Sequence, residues 1–321
     1  MSRSVAITGA TGFIGRHVAA ALLARGVAVK AIVRPRSPHA APAGTLPVSA
    51  ALDPSSLRDA FSGVDTVVHL AGIVAAVDAR TFTAVNVDGT RAVANAARDA
   101  GARLIHVSSL AAAGPARASA PHREGEPLHP VTPYGVSKRD SEKIVNETDR
   151  LRSIILRPGV VYGPTDRAVF PLFQAAARGV LPLVGRPDAA YTFIYIDDVV
   201  SAIIAAVERP DVSGAVFLGH AKPVTARDLL DAIQAAVKRS ARLIAVPMAL
   251  TYAAAIACDV ADRIVRRPMP LNLSRYAELA ADGFVCRVDR MREDLGVVAR
   301  TGLREGIAMT AAWYQAEGWI R

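Results

Sequence analysis

VAITGATGFIG, residues 5–15, opens as a short apolar run and breaks into a glycine-rich turn. The three glycines stand at Gly9, Gly12 and Gly15, a G-x-x-G-x-x-G spacing. In that context Gly9 makes the tight turn off a strand. Gly12 lets backbone approach a pyrophosphate with no side chain in the way, and Gly15 lets the following helix pack close to the sheet. A helix that begins here offers unpaired N–H groups and a partial positive charge to an anion. Thr11, Phe13 and Ile14 lie within the same turn. The stretch thus predicts a dinucleotide-binding start, because the glycine pattern sits between a strand and a helix and does not stand alone.

The reading extends outward as alternating elements. Helical character at 17–25 stops at Gly26, and 27–33 is a β-branched run. Pro35, Pro38, Pro42 and Pro47 break the next stretch into a loop. A short helix is predicted at 57–61, a strand at 66–70, a long helix at 81–100 ending at Gly101, and a strand at 103–107. The segment 113–133 reads as a loop, 134–148 as a helix and 153–156 as a strand. Repeated βα units imply an α/β fold: a doubly wound parallel sheet of Rossmann type with helices on both faces. Beyond residue 213 the spacing becomes irregular, which points to a smaller, mainly C-terminal second domain.

The end of the second strand bears on cofactor choice. An acid there would bind the ribose 2′-hydroxyl of NAD. This sequence has Val33-Arg34-Pro35-Arg36, and an arginine is suited to a 2′-phosphate, so Arg34 favours NADP with NAD as the alternative. Further along, Tyr134 and Lys138 are spaced i, i+4, on one helix face, with Pro133 suited to the helix start. A free phenol with a pKa near 10 is a poor base at neutral pH, and a nearby ammonium is expected to lower it. The lysine also suits the nicotinamide ribose, and the phenol suits proton exchange with a reacting hydroxyl. Strand 103–107 runs into Ser108-Ser109 at the end that faces the ligand crevice of a parallel sheet. Ser109 is the expected partner of Tyr134 there, with Ser108 the alternative.

Composition narrows the classes. With 321 residues, 51% hydrophobic and 21% charged, the chain has enough apolar sequence for a packed α/β domain with a smaller partner. The net charge of +9 comes from scattered arginines without an interleaved aromatic stripe, so no nucleic-acid partner is expected. Cys258 and Cys286 form no CxxC, and the histidines show no metal-ligand spacing, so no metal and no disulfide framework is expected. The chain enters its first strand without a leader pattern, which fits a cytoplasmic location. Residues 243–257 are the most membrane-like stretch. They carry Pro247 and fall short of the roughly 20 residues of a span. A buried or amphipathic helix is expected there, with membrane contact as the alternative.

TGATGFIG at 8–15, HLAG at 69–72, NVDGT at 86–90, VSSLAAAG at 107–114, YGVSK at 134–138, LRPGVVYGP at 156–164 and YIDDV at 195–199 together resemble the extended short-chain dehydrogenase/reductase family, also called the NAD-dependent epimerase/dehydratase family. The resemblance implies a catalytic set of Ser109, Tyr134 and Lys138, and a pyrophosphate loop of Gly9, Gly12, Phe13, Ile14 and Gly15. It implies an adenine contact at Asp53, an adenosine wall at Leu70, Ala71 and Gly72, and a nicotinamide loop at Pro158, Gly159 and Val160. Asn86 matches a family position below the active site. The division it implies is 1–162 with 191–212 returning to the dinucleotide domain, and 163–190 with 213–321 forming the substrate domain. A homodimer is common in the family.

Two departures shape the functional expectation. Sugar-nucleotide members commonly carry an Asn shortly before YGP, where this chain has none, and NAD-preferring members carry an acid where Arg34 stands. The RPGVVYGP form is similar to the 3β-hydroxysteroid dehydrogenase and dihydroflavonol reductase side. That implies hydride transfer between a nicotinamide and a secondary alcohol or ketone, on a hydrophobic cyclic small molecule. Apolar residues at 168–183 and 246–257 could line its pocket or simply pack a core. The alternatives are a nucleotide-sugar epimerase or dehydratase, and a non-catalytic dinucleotide-binding protein. Asp197-Asp198 is expected to cap the helix after it. His69 is expected to be packed, and Glu124 and Glu126 lie in the loop before Tyr134, where they could border the substrate.

Overall fold

The computed structural model describes residues 4–265, 269 and 271–320. The first strand, β1 (Ser4–Thr8), has four of its five residues fully enclosed. It lies between β2 (Ala28–Val33) on one side and β4 (Thr66–His69) on the other. Outward from β2 comes β3 (Leu46–Ser49). Outward from β4 come β5 (Arg103–Val107), β6 (Ser153–Pro158) and finally the strand Gly214–Leu218. All seven run parallel, in the order Gly214–Leu218, β6, β5, β4, β1, β2, β3. A parallel sheet is buried on both faces, which is why these strands read as nearly continuous apolar runs.

Two strands fall outside the sequence expectation. β3 occupies the stretch read as a proline-broken loop. It is the sheet's edge, where Pro47 can sit without costing a ladder bond in the interior. Gly214–Leu218, assigned by sequence to the second unit, pairs with β6 and closes the other edge.

Helices cover both faces. α1 (Phe13–Leu23) starts directly after the glycine turn, four residues earlier than periodicity suggested. α2 (Pro54–Ala60) comes after β3. The long helix after β4 is continuous but not uniform. It consists of α3 (Ala79–Phe82), a π-helical segment Thr83–Asp88 and α4 (Gly89–Asp99). A π turn rotates the face that a helix presents, and it is often placed at a functional position. α5 (Pro133–Glu147) begins with Thr132 as N-cap, its hydroxyl accepting from Gly135 N at 3.1 Å, and Pro133 in the first turn.

The chain after β6 builds small sheets beside the main one. Val160–Tyr162 pairs with Phe193–Tyr195, and Val180–Val184 with Arg242–Val246. The helix Ile196–Glu208 returns to pack against α1. Its N-cap is Tyr195, so the expected capping role of Asp197-Asp198 is not what the structure shows. Asp198 instead accepts from Arg300 N and Thr301 N, each at 3.1 Å, and pins the C-terminal segment. There, Tyr314 stacks with Trp319 at 5.4 Å and packs edge-on to Phe170 and Phe173, forming a second aromatic core. Among the described residues no helix is long and apolar enough to cross a membrane.

Candidate active site

The glycine turn is held by steric necessity. Gly9 adopts φ +73°, and a Cβ there would sit 2.7 Å from Ala71 N. Gly12 N donates to Gly9 O at 3.0 Å. A Cβ on Gly15 would lie 2.2 Å from Gly9 O, so the helix can approach the turn only with glycine at that position. Gly12 is the N-cap of α1 and supplies no side-chain acceptor, which leaves the first-turn N–H groups without a side-chain cap. The wall beside this turn is the segment 70–72. Leu70 N donates to Thr8 O at 3.0 Å, and Asn86 Oδ1 would be 3.1 Å from a Cβ on Gly72.

Asn86 lies on the π-helical segment and ties two parts of the site together. Its Oδ1 accepts from Ile73 N at 2.9 Å. Its Nδ2 donates to Ile73 O at 3.0 Å and to Ser137 Oγ at 2.9 Å. The strand-end loop after β4 is thereby fixed to α5.

Three side chains converge at the C-terminal end of β5. Ser109 caps the short turn Leu110–Ala112, its hydroxyl accepting from Ala111 N at 3.2 Å, and it lies close enough to the Tyr134 phenol to favour the ionised form. Lys138, buried one turn along α5, donates from Nζ to Val107 O at 2.8 Å. Gly135 makes this docking possible, since a Cβ there would be 2.5 Å from Ala111 O. The Tyr134 ring packs against Phe82, centroids 6.2 Å apart. The structure therefore brings Ser109, Tyr134 and Lys138 together. The hydroxyl of Ser108, the alternative to Ser109, turns away and donates to Glu142 Oε1 at 2.5 Å.

The electrostatics differ from the sequence expectation in one respect. Burial pushes the Tyr134 phenol up to about 12, with the nearby Ser109 hydroxyl acting in the opposite direction. The Lys138 ammonium, one helical turn along, is held by the Val107 carbonyl. Burial in turn lowers Lys138 to about 8, partly offset by the nearby Glu142 carboxylate. The phenol is therefore a protonated group at neutral pH and not a phenolate.

Around this centre lie partners that sequence reading missed. Arg157 meets Glu142 in a buried ion pair, Nη2 to Oε2 2.6 Å, with Nε reaching both carboxylate oxygens and the guanidinium over the Phe217 ring. Glu142 continues the stripe of Tyr134 and Lys138 at one more i+4 step, which was the available signal. Thr90 Oγ1 donates to Asn86 O, so His69 Nε2 donates to Thr90 and His69 Nδ1 accepts from Thr8 Oγ1 at 2.6 Å. His69 and His106 stack at 5.4 Å, both buried, in keeping with the packed role expected for His69.

The remaining candidates sit farther from the phenol or are engaged locally. The Asp53 carboxylate is committed to the start of α2, accepting from Ser55 N, Ser56 N and both serine hydroxyls. Chiefly the Ser56 N–H holds it down at about 2. Arg34 is exposed just past β2, with its carbonyl in a turn to Ser37 N. Gly159 passes so close to the next strand that a Cβ would be 2.2 Å from Thr192 O, and Val160 N donates to Thr192 O at 2.8 Å. Pro158 ends β6. Glu124 accepts from Phe217 N at 3.2 Å and ties the loop to the strand Gly214–Leu218, while Glu126 accepts from Arg123 N at 3.2 Å within the loop. A cavity of about 1030 Å³ lined by Arg117, His122, Arg123, Ala277 and Arg287 lies beyond that loop, and its lining includes neither Tyr134 nor the glycine turn. Cys258 and Cys286 are free thiols, and no metal-binding cluster occurs among the described residues.

Comparison with known proteins places this arrangement. The profile of the NAD dependent epimerase/dehydratase family matches residues 5–218. The chain belongs to that family. It is thus an enzyme of the extended short-chain dehydrogenase/reductase type, and an NAD(P)-dependent oxidoreductase. It is 33% identical over 322 residues to a ceramide reductase of Caulobacter vibrioides, covering 98% of this chain and 96% of that one. It is 31% identical over 336 residues to sterol demethylase protein B of Methylococcus capsulatus, covering 98% and 99%. Among solved structures it superposes on MoeE5 in complex with UDP-glucuronic acid and NAD with a TM-score of 0.80, at 23% identity, covering 98% of this chain and 99% of that one. At that identity the likeness is one of fold.

Proposed function

We propose that this enzyme reduces a ketone, and in reverse oxidises a secondary alcohol, on a hydrophobic small molecule, with NADP(H) as its preferred cofactor. The carrying observation is the Tyr134 hydroxyl, set beside Ser109 and kept protonated by burial, one turn from Lys138. The two curated relatives support the substrate class, because ceramide and sterol, the molecules in their names, are both hydrophobic. The narrower expectation of a cyclic substrate is part of the same reading. The substrate walls would come from 163–190 and the chain beyond Leu218.

The residues present fit a dinucleotide. Gly9 and Gly15 leave no space for side chains where the backbone turns, and the uncapped start of α1 presents N–H groups to a pyrophosphate. Thr11, Gly12, Phe13 and Ile14 would hold that group. Arg34 would meet a 2′-phosphate, Leu70 to Gly72 the adenosine, and Lys138 with Pro158 to Val160 the nicotinamide end. The bound reduced nicotinamide supplies a hydride. The chain's own part is to hold the carbonyl oxygen between Ser109 and Tyr134 and to pass the Tyr134 proton to it, so that ketone, hydride and proton give the alcohol. Lys138, as an ammonium below about 8, favours the negative charge left on the phenol after that transfer.

The test is net cofactor turnover with a panel of hydrophobic ketones, cyclic and long-chain. One reduced cofactor should be consumed per alcohol formed. An epimerase or dehydratase would return its cofactor each cycle and show no net consumption. Arg34→Ala should lower the NADP/NAD preference about tenfold, the loss of a charge-assisted pair. An unchanged preference would reassign the cofactor to NAD.

A further inference from the structure

The helix Met248–Val265 is amphipathic in the reverse sense for a globular protein. Leu250, Ala253, Ala257, Val260 and Ile264 recur at helical spacing and form an exposed stripe, with Leu250 63% and Ile264 77% accessible. Tyr252, Ile256 and Val265 widen it, and all three are exposed. The opposite face carries Thr251, Asp259 and Asp262, and these are turned inward. Thr251 Oγ1 donates to Pro247 O, Asp259 accepts from Leu273 N at 3.2 Å, and Asp262 from Met269 N at 2.6 Å. A surface helix ordinarily buries its apolar stripe and exposes its polar one. Residues 246–257, which the sequence could place along a substrate pocket or in a core, instead contribute most of this outward face.

The charge around the helix says what covers it. Between 238 and 267 the sequence carries six Lys and Arg against two acids, of which Asp262 is buried and Asp259 half-buried, each accepting from a backbone N–H. An exposed apolar face with a tyrosine on it, on a helix flanked in the sequence by cations, has the composition of a helix that lies in the interface of an anionic bilayer. Two copies of this chain meeting on the face would bring like charges together. The helix is of 18 residues and does not meet the requirement for a span.

We infer that the Met248–Val265 helix docks this enzyme on anionic membrane surfaces, lying in the plane of the headgroups. The helix packs on Leu273–Ala280, with Tyr252 and Tyr276 rings 5.0 Å apart. Leu273–Ala280 in turn carries Glu278, whose charge reaches Tyr134. The docking face is therefore one helix away from the catalytic phenol. This inference stands on the surface alone and does not depend on the substrate reading.

Flotation of the full-length protein with vesicles tests it. Vesicles of phosphatidylglycerol and phosphatidylcholine should carry the protein up. Vesicles of phosphatidylcholine alone should do so less well, and added salt should release it. Leu250→Glu with Ile264→Glu should weaken binding about tenfold or more, since both positions are exposed and each loses insertion of an apolar group. Arg242→Glu should reduce only the preference for anionic vesicles. The melting transition of each variant should match the parent, which separates lost docking from lost folding. Failure of the parent protein to float with anionic vesicles at low salt overturns the inference, as does undiminished flotation of the double variant. A parent dimer in light scattering that the double variant converts to a monomer would assign the face to a second copy and likewise overturn it.

Discussion

The proton chemistry is settled at single side chains. Lys138 is lowered from 10.5 to about 8 by burial, so the folded chain releases this proton while the unfolded chain still holds it. Between about 8 and 10.5 the unfolded state binds more protons, and stability gains with rising pH. Activity moves the other way. We expect kcat/KM for ketone reduction to fall as pH passes about 8, when the ammonium is lost, while alcohol oxidation rises with pH because the phenol must give up its proton first. A pH profile run in both directions checks this. Ser109→Ala removes the hydroxyl beside the Tyr134 phenol, and about a 10²-fold fall in kcat is expected with little change in melting temperature.

At the level of elements, the site depends on close approaches that a single atom can break. Gly15→Ala places a methyl 2.2 Å from Gly9 O, so we expect loss of measurable dinucleotide binding by calorimetry together with a lower melting temperature. Glu142→Gln leaves Arg157 buried without its counter-charge. About 3–5 kcal/mol of stability should go, read from urea unfolding, because breaking a buried pair exposes the full desolvation cost of the survivor. The local elements were legible: the glycine turn and the i, i+4 Tyr-Lys pair are written in short-range spacing. What was not legible depends on distant residues. Gly135 needs the Ala111 carbonyl to explain it, and Pro47 needs the knowledge that its strand is an edge. Gly214–Leu218 resembles the irregular region around it and becomes a strand only through its pairing with β6.

For the whole molecule, the buried histidine pair beneath the site governs acid stability. Burial holds His69 down at about 3 and His106 well below its ordinary value, with the Lys138 charge adding to both. As pH falls below 6.5 the unfolded chain takes up these protons and the folded chain does not, so stability declines through the window from 6.5 toward 3. Replacing His106, whose Nδ1 has no partner, by Gln should flatten that decline in urea unfolding measured at pH 7 and pH 5. The same sheet end gathers the Thr8, His69 and Asn86 network, the glycine turn and the α5 pair, so motifs distant in the sequence lie together there. All of it serves one protonated phenol. The most direct check is the rate of reduced-nicotinamide consumption by Tyr134→Phe at saturating cofactor and ketone, beside its cofactor affinity. We expect kcat to fall by about 10²-fold or more with cofactor binding retained. A variant that reduces the ketone as fast as the parent would show that the proton comes from elsewhere.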